Sequence, residues 1–262
     1  MSAIKTFFKS IDVAFSMYSK IPMPRFDWDS KDMKYALIFF PWVGAVIGGL
    51  LLGWKYLAEF MGVGELCFTA VAIAIPLLVT GGFHVDGYMD TMDGIHSYQS
   101  REKKLEILKD PHIGAFSVIS LLVYSLLYLG FFSTLAGEDS EGFYVVCCMF
   151  WVTRCLSGIS VVSFKSAKNE GMLQTESKNS GKRSVRISLI VELILAYGFM
   201  FAISPVCGAV AIVASLLVFG YYRWVSYRHF GGITGDLAGF FVTLCELVMV
   251  VVVSITSLIV AL

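Results

Sequence analysis

Long apolar runs, separated by shorter polar connections, dominate the chain. A membrane-spanning helix needs about 20 apolar residues to cross about 30 Å of hydrocarbon. Seven stretches approach or reach that length, at 35–58, 66–83, 115–136, 143–164, 187–203, 205–222 and 237–262. The pattern predicts an all-α, polytopic integral membrane bundle that forms a single domain over 1–262. Seven spans is the first interpretation and six the second, because 187–203 and 205–222 form either two spans or one re-entrant hairpin.

The first twenty residues follow a different pattern. Apolar side chains recur there near helical spacing, with polar and charged residues between them, at Ile4, Phe7, Phe8, Ile11 and Phe15. The spacing predicts an amphipathic helix over 1–20 that lies in the membrane interface. The alternative is a disordered tail. The stretch is too interrupted by charge to be a signal peptide.

The basic residues are unevenly distributed. Lys and Arg number 20, as do Asp and Glu, so the net charge is zero and gives no indication of a nucleic-acid partner. Four alternate connections hold 18 of the 20 basic residues, namely 1–34, 84–114, 165–186 and 223–236. The positive-inside rule places these connections, and the N-terminus, in the cytoplasm. The two exceptions are Lys55, near an outer helix end, and Arg154, inside a span.

Composition supports the membrane interpretation and excludes two kinds of structural site. Hydrophobic residues make up 57% of the chain and charged residues 15%, whereas soluble domains are about 25% charged. The six cysteines lie in or beside apolar stretches and form no C-x-x-C pair. They are typical of small buried side chains, so we expect neither a disulfide framework nor a zinc site.

Segment 81–114 holds most of the candidate catalytic and metal-binding residues, and we predict it to be a cytoplasmic active-site segment. Asp86, Asp90 and Asp93 have i, i+4, i+7 spacing, which places three carboxylates on one face of a helix. Three like charges on one face repel each other, and a divalent cation is the simplest compensation. Mg²⁺ commonly binds one or two carboxylates together with substrate phosphates. The alternative is a solvated acidic face near the membrane surface.

Glycines and histidines accompany these aspartates. Glycine allows a backbone or a bulky phosphate to approach closely, which makes Gly82, Gly87 and Gly94 candidate substrate-binding positions. His84 and His96 either contact substrate or simply lie in the interface.

A short polar stretch follows. Residues 100–109 predict a helix with Ser100 as N-cap, and Asp110 before Pro111 predicts a turn. Asp110, His112 and Gly114 therefore lie on a bent entry into the third span, where structural and functional roles are equally supported. The basic residues of the cytoplasmic loops are candidates for attracting an anionic substrate, especially Arg101, Lys103, Lys104, Lys109 and Lys168.

Two further ionisable groups lie near the C-terminus. The glycine-rich stretch 231–240 places Gly235 and Asp236 at the cytoplasmic mouth of the last span, and Glu246 lies deeper in it. An intramembrane charge is a candidate functional residue, and Arg154 is its obvious partner. That pair either binds substrate or forms an ordinary buried salt bridge. Because most carboxylates and all four histidines lie near one membrane face, the pattern favours an enzyme over a transporter, whose sites lie near the midplane.

These motifs together resemble the cobalamin synthase family, the bacterial adenosylcobinamide-GDP ribazoletransferases. The resemblance rests on GGFHVDGYMDTMDGIHS with the KDPHIGAF turn, on FFPWVGAVIGG, on KNEGM and on GGITGDLAGFFVTLCELV, in the family's order. The stretch GMLQTESKNSGK is more polar than the family pattern, so no role is assigned there.

The resemblance implies an activity and a location. Family members join α-ribazole, or its 5′-phosphate, to adenosylcobinamide-GDP, require Mg²⁺ and release GMP, in the bacterial cytoplasmic (inner) membrane. Under this hypothesis Asp86 and Asp90 bind metal, Asp93 is either a ligand or the general base, and Asp110 and Asp236 complete a second metal or base position.

Two alternatives remain at this point. One is a CDP-alcohol phosphotransferase of phospholipid synthesis, although Thr91 and Met92 stand where that family carries an Ala-Arg pair. The other is a transporter of metal ions or corrinoids. The sequence leaves the oligomeric state open, a homo-oligomer included.

Overall fold

The structure is a computed structural model that describes residues 3–24, 32–136, 140–167 and 181–261. Within these ranges it consists of helices, without named strands. The helices are α1 (Ala3–Tyr18), α2 (Ala36–Met61), α3 (Glu65–Thr80), α4 (Phe83–His96), α5 (Arg101–Ile107), α6 (Ala115–Ser133), α7 (Glu141–Ser163), α8 (Lys182–Ile203), α9 (Pro205–Val225) and α10 (Gly235–Val260). A 3₁₀ turn at Asp32–Tyr35 leads into α2, and a π-helical turn at Ser226–Phe230 ends α9. The predicted helical membrane bundle is confirmed.

The second predicted span is shorter than expected. Six helices of the described chain are long and apolar enough to cross a membrane, but α3 is not one of them. It ends at Thr80, and the chain bends by 91° into α4. Gly81 and Gly82 form the bend with φ of 72° and 78°, a left-handed conformation that favours glycine. The apolar run 66–83 masked this break because hydropathy does not report backbone direction.

Helix α3 nevertheless brings the chain back to the end of the bundle at which α2 begins. The backbone N–H of Lys20 donates to the Val79 carbonyl at 2.7 Å, so α3 ends beside the end of α1. The Phe40 and His84 rings lie 6.0 Å apart, which places the start of α4 beside the start of α2. Helices α8 and α9 are separate helices of 22 and 21 residues joined at Ser204, which supports two spans over a short hairpin.

Helix α7 forms the centre of the bundle and is buried along most of its length. Close packing against α2 depends on glycine. A side chain at Gly44 would collide with the Phe150 carbonyl, and one at Gly48 with the Cys147 carbonyl. These contacts confirm the small-residue packing face. Helices α6, α8 and α9 instead expose broad apolar surfaces, as expected for contact with lipid.

Helix α1 occupies most of the stretch for which the sequence predicts an N-terminal amphipathic helix. Val13 and Ala14 are fully buried, whereas Phe7 and Phe8 are exposed. Contacts with the start of α2 hold it in place: Phe7 packs edge-on against Phe39, with ring centroids 5.2 Å apart. Its position in the membrane interface stays a prediction.

Candidate active site

The candidate site is built where α4 crosses the start of α10. A Cβ at Gly239 would lie 2.9 Å from the His84 carbonyl, and one at Gly87 would lie 2.6 Å from the Asp236 carbonyl. Further along α4, Gly94 faces the Phe230 ring. Helix α4 therefore runs antiparallel to the chain from Phe230 to Gly239, with backbones in close contact.

This crossing brings together two motifs separated by about 150 residues. Asp86 is exposed and Asp90 is half-buried, one turn apart on α4. Between them lies Gly87, and the backbone of half-buried Asp236 packs directly against it. The structure thus places Asp236 beside the face of α4 that carries Asp86 and Asp90.

Asp93 has a different environment from the other two motif aspartates. Its carboxylate accepts the backbone N–H of Gly114 at 2.8 Å and that of Ser117 at 3.0 Å. The Ser117 hydroxyl also donates to it. The first N–H groups of a helix have no acceptor within the helix. The N-cap of α6 is Gly114, which has no side chain that could accept them. The Asp93 carboxylate of α4 is the acceptor instead.

Asp86 and Asp90 have the chemistry of a magnesium site that substrate would complete. Among the described residues no three His, Cys, Asp or Glu side chains converge as a metal-binding group. Asp86 and Asp90 could supply two hard oxygen ligands one turn apart, which would suffice if phosphate oxygens and water filled the remaining positions. Both oxygens of Asp93 already accept hydrogen bonds from α6. Its predicted metal or base role stays a prediction, and the geometry favours a structural one.

Three of the four glycines assigned to substrate binding have a structural role that explains their presence. Asp236 backbone atoms fill the space beside Gly87, and the Phe230 ring fills that beside Gly94, so both serve helix packing. Gly82 supports the bend before α4. Gly235, in the first turn of α10, is exposed and has open space around it. Its surroundings therefore leave room for a ligand.

The two motif histidines are held differently. His84 is buried, with its ring 3.9 Å from that of Phe83, on the side of α4 that faces α10. His96 is half-buried and stacks on Phe116 with ring centroids 4.8 Å apart. Its Nδ1 lies 2.8 Å from the Met92 carbonyl. Since a carbonyl only accepts, Nδ1 donates this hydrogen bond, and Nε2 is the ring nitrogen left for another partner.

Ser100 caps α5 by accepting the backbone N–H of Lys103, as predicted.

The basic residues of segment 100–109 divide into exposed and buried ones. Arg101 lies over Gly231, at the start of the glycine-rich segment, and Lys109 is exposed. Lys104 is buried instead, and its ammonium reaches the Ile95 carbonyl and His229 Nδ1 at 3.4 and 3.1 Å. Burial lowers the pKa of Lys104, so this lysine joins structural elements and is poorly placed to attract substrate.

Asp110 has local partners on the surface. Its carboxylate accepts the backbone N–H of His112 at 3.0 Å and lies 2.6 Å from His112 Nδ1. These hydrogen bonds lower the pKa of Asp110. The contact closes the turn before α6, so the geometry supports the structural role at least as well as the catalytic one.

Arg154 and Glu246 form the anticipated buried pair. Arg154 Nη1 lies 2.6 Å from Glu246 Oε1, and the Thr153 hydroxyl donates to the same oxygen at 3.2 Å. Arg154 Nη1 also donates to the Phe150 carbonyl. The pair links α7 to α10 in the core, which favours the interpretation as a structural salt bridge.

Sequence reasoning missed two ionisable residues. Lys20 lies across Gly81, where an added Cβ would meet the Lys20 side chain at 2.5 Å, and so covers the bend before α4. Glu192 lies within α8, where the Trp151 indole N–H and the Ser188 hydroxyl donate to it at 3.5 and 3.4 Å. The signal for Glu192 was a single charge inside an apolar run, whereas nothing local indicates the contact of Lys20. Lys168 and the KNEGM stretch lie outside the described residues.

Comparison with known proteins identifies the family. The model of the cobalamin-5-phosphate synthase family matches residues 10–254. This chain belongs to the cobalamin-5-phosphate synthase family. Two curated relatives are both named adenosylcobinamide-GDP ribazoletransferase. That of Lachnoclostridium phytofermentans is 45% identical over 91% of this chain and 90% of its own length. That of Clostridium perfringens is 29% identical over 93% and 96%.

A third relative of the same name, from Desulfitobacterium hafniense, is 33% identical over 90% of this chain and 92% of its own length. No solved structure matches. As a cobalamin-5-phosphate synthase family member the chain is an enzyme of cobalamin biosynthesis, and the resemblance inferred from the motifs is confirmed. Each of the motifs at 39–49, 81–116 and 231–248 lies within the matched region.

Proposed function

We propose that this enzyme is a Mg²⁺-dependent adenosylcobinamide-GDP ribazoletransferase. It joins α-ribazole, or α-ribazole 5′-phosphate, to adenosylcobinamide-GDP, releases GMP and forms adenosylcobalamin or its 5′-phosphate. The observation that carries the proposal is the crossing at Gly87, which sets Asp236 beside the Asp86 and Asp90 face. The names of the relatives supply the substrates.

The reaction is a displacement at phosphorus. A ribose hydroxyl of α-ribazole forms a new P–O bond to the phosphoryl group attached to cobinamide, the bond to GMP breaks, and the hydroxyl proton is transferred to a base. Asp86 and Asp90 would hold Mg²⁺, and the ion would supply positive charge to offset that of the pyrophosphate and of the leaving GMP.

Asp236 is the best-placed proton acceptor. It lies in the first turn of α10 next to the metal-binding face, and the Thr234 hydroxyl donates to its carboxylate at 3.3 Å. Asp93 is less suited to this role because its oxygens accept hydrogen bonds from α6. The open space at Gly235 and the position of Arg101 over Gly231 would allow the anionic pyrophosphate to bind along this segment.

The site would lie on the cytoplasmic face of the inner membrane of a bacterial cell. Support comes from the 18 of 20 basic residues in the connections on that side. Adenosylcobinamide-GDP is large and anionic, so a site at the membrane surface would be reachable without transfer of charge through lipid.

The test is product formation by the purified protein. With adenosylcobinamide-GDP, α-ribazole and Mg²⁺, we expect stoichiometric GMP and corrinoid product, both abolished by chelation of Mg²⁺. Asp86→Asn and Asp90→Asn should each lower kcat/KM by at least about a hundredfold, which is typical of a lost charge-stabilising group. Glu106→Gln, which removes an exposed carboxylate on α5, is the control and should remain active. Near-normal turnover in both aspartate variants would refute the metal assignment.

A further inference from the structure

A groove lined by basic and aromatic side chains lies at the end of α9. An open groove of about 460 Å³ is lined by Gly220, Arg223, Trp224, Tyr227 and Arg228. Arg223, Trp224 and Arg228 are exposed. The groove lies at the same end of the bundle as Asp236, because the π-helical turn and a short glycine-rich loop connect α9 directly to α10.

The apolar surface of α9 continues from this groove along the helix. Val213, Leu217 and Trp224 recur on one face and are each more than half exposed. Exposed apolar side chains of a spanning helix contact acyl chains, and Trp at its end lies at the level of lipid headgroups. The groove therefore opens towards lipid and not only towards water.

The charge in the groove is positive, and no carboxylate of the described part of the chain neutralises it. Its lining includes two arginines and no Asp or Glu. Neither Arg223 nor Arg228 forms an ion pair with a carboxylate of the described residues. Arginine offers several N–H donors that suit phosphate oxygens, so the groove has the chemistry to bind a phosphate group.

The wall of the groove is fixed by the rest of the fold. The Arg223 guanidinium lies 5.2 Å from the ring centres of both Phe164 and Tyr227. The Tyr227 hydroxyl accepts a hydrogen bond from the backbone N–H of Lys165 at 2.8 Å. These contacts orient the arginine before any ligand arrives, which reduces the entropy lost on binding.

We propose that this groove binds the headgroup of an anionic phospholipid, with the phosphate on Arg223 and Arg228 and an acyl chain along Leu217 and Val213. The continuous apolar face argues for a lipid over a free anion. Basic pockets beside spanning helices are known to recruit anionic headgroups. The proposal does not depend on the ribazoletransferase assignment, since that assignment gives no role to Arg223, Trp224 or Arg228.

Lipid retention tests the proposal. Purified protein in neutral detergent is titrated with phosphatidylglycerol or with phosphatidylcholine of the same acyl chains, and bound lipid is counted by native mass spectrometry. We expect preferential retention of phosphatidylglycerol. Arg223→Gln with Arg228→Gln should weaken it about 25-fold, at about fivefold for each arginine near the membrane surface.

The control is Arg183→Gln with Arg186→Gln, which removes the same charge from exposed positions on α8 at the same end of the bundle. It should retain lipid like the wild type. Equal loss in both double variants, or no preference for phosphatidylglycerol in the wild type, would overturn the proposal. Displacement of the lipid by millimolar inorganic phosphate would also overturn it, by showing a site for free anions.

A third variant keeps the test decisive if the glutamine pair does not fold. Trp224→Ala leaves both arginines in place and removes only an exposed ring, so it should fold and bind phosphatidylglycerol several-fold more weakly. If a folded Trp224→Ala protein retained phosphatidylglycerol as well as the wild type does, the lipid could not be bound in this groove as proposed.

Discussion

The carboxylate of Asp93 accepts the backbone N–H of Gly114 at 2.8 Å, across 21 residues of sequence. An aspartate that sequence spacing groups with Asp86 and Asp90 is thus turned towards the start of α6. The contact separates two functions within one motif, because the first two aspartates remain at the crossing with α10 while the third holds the neighbouring helix. Measurements on single variants can distinguish them.

Asp93→Asn should destabilise the protein by about 1–3 kcal/mol, because the neutral amide accepts the α6 N–H groups less strongly and its NH₂ cannot accept them at all. Asp86→Asn should lower activity without this loss of stability. Thermal unfolding in detergent, measured beside GMP release, separates the two effects. A fully stable Asp93→Asn protein with a lower kcat and an unchanged KM would instead restore Asp93 as the base.

Gly87→Ala should impair the site by separating α4 from α10. The new methyl group would lie 2.6–3.1 Å from three backbone atoms of Asp236, which belong to the helix and can move only with it. We expect kcat/KM for GMP release to fall more than tenfold. Gly49→Ala, in α2 where nothing lies within 4 Å, is the matched control and should keep full activity. Equal activity of both variants would argue against the crossing as the basis of the site.

Glu246→Gln should cost about 3–5 kcal/mol of folding stability, because it leaves the buried Arg154 charge without its counterion. The double variant Arg154→Met with Glu246→Leu removes both charges and should recover most of that stability. A structural salt bridge predicts that GMP release recovers as well. Recovery of stability without recovery of activity would show that the pair contributes to substrate binding.

The proposed orientation predicts which surfaces a membrane-impermeant thiol reagent can reach. In a chain whose exposed Cys67 is replaced by serine, a cysteine at position 139 should react from outside intact cells. A cysteine in place of Glu106, on exposed α5, should react only after the membrane is opened. The reverse pattern would invert the topology and place the candidate site on the outer face.

Periodicity and charge determined the helical membrane bundle, because hydropathy and the placement of Lys and Arg are properties of each segment by itself. They also identified α1, the cap at Ser100 and the packing face at Gly44. The family could be predicted because its motifs are contiguous in sequence. In each case the information lies within about one helix length of chain.

The bend at Gly81 and the separate roles of the motif aspartates depended on tertiary structure. Spacing places Asp86, Asp90 and Asp93 on one face, but which neighbouring element meets each of them depends on how α4 packs between α6 and α10. The same holds for Gly87, whose missing side chain leaves room for the Asp236 backbone and not for substrate. Local pattern determines what a helix can present, and only packing between distant segments decides what it meets.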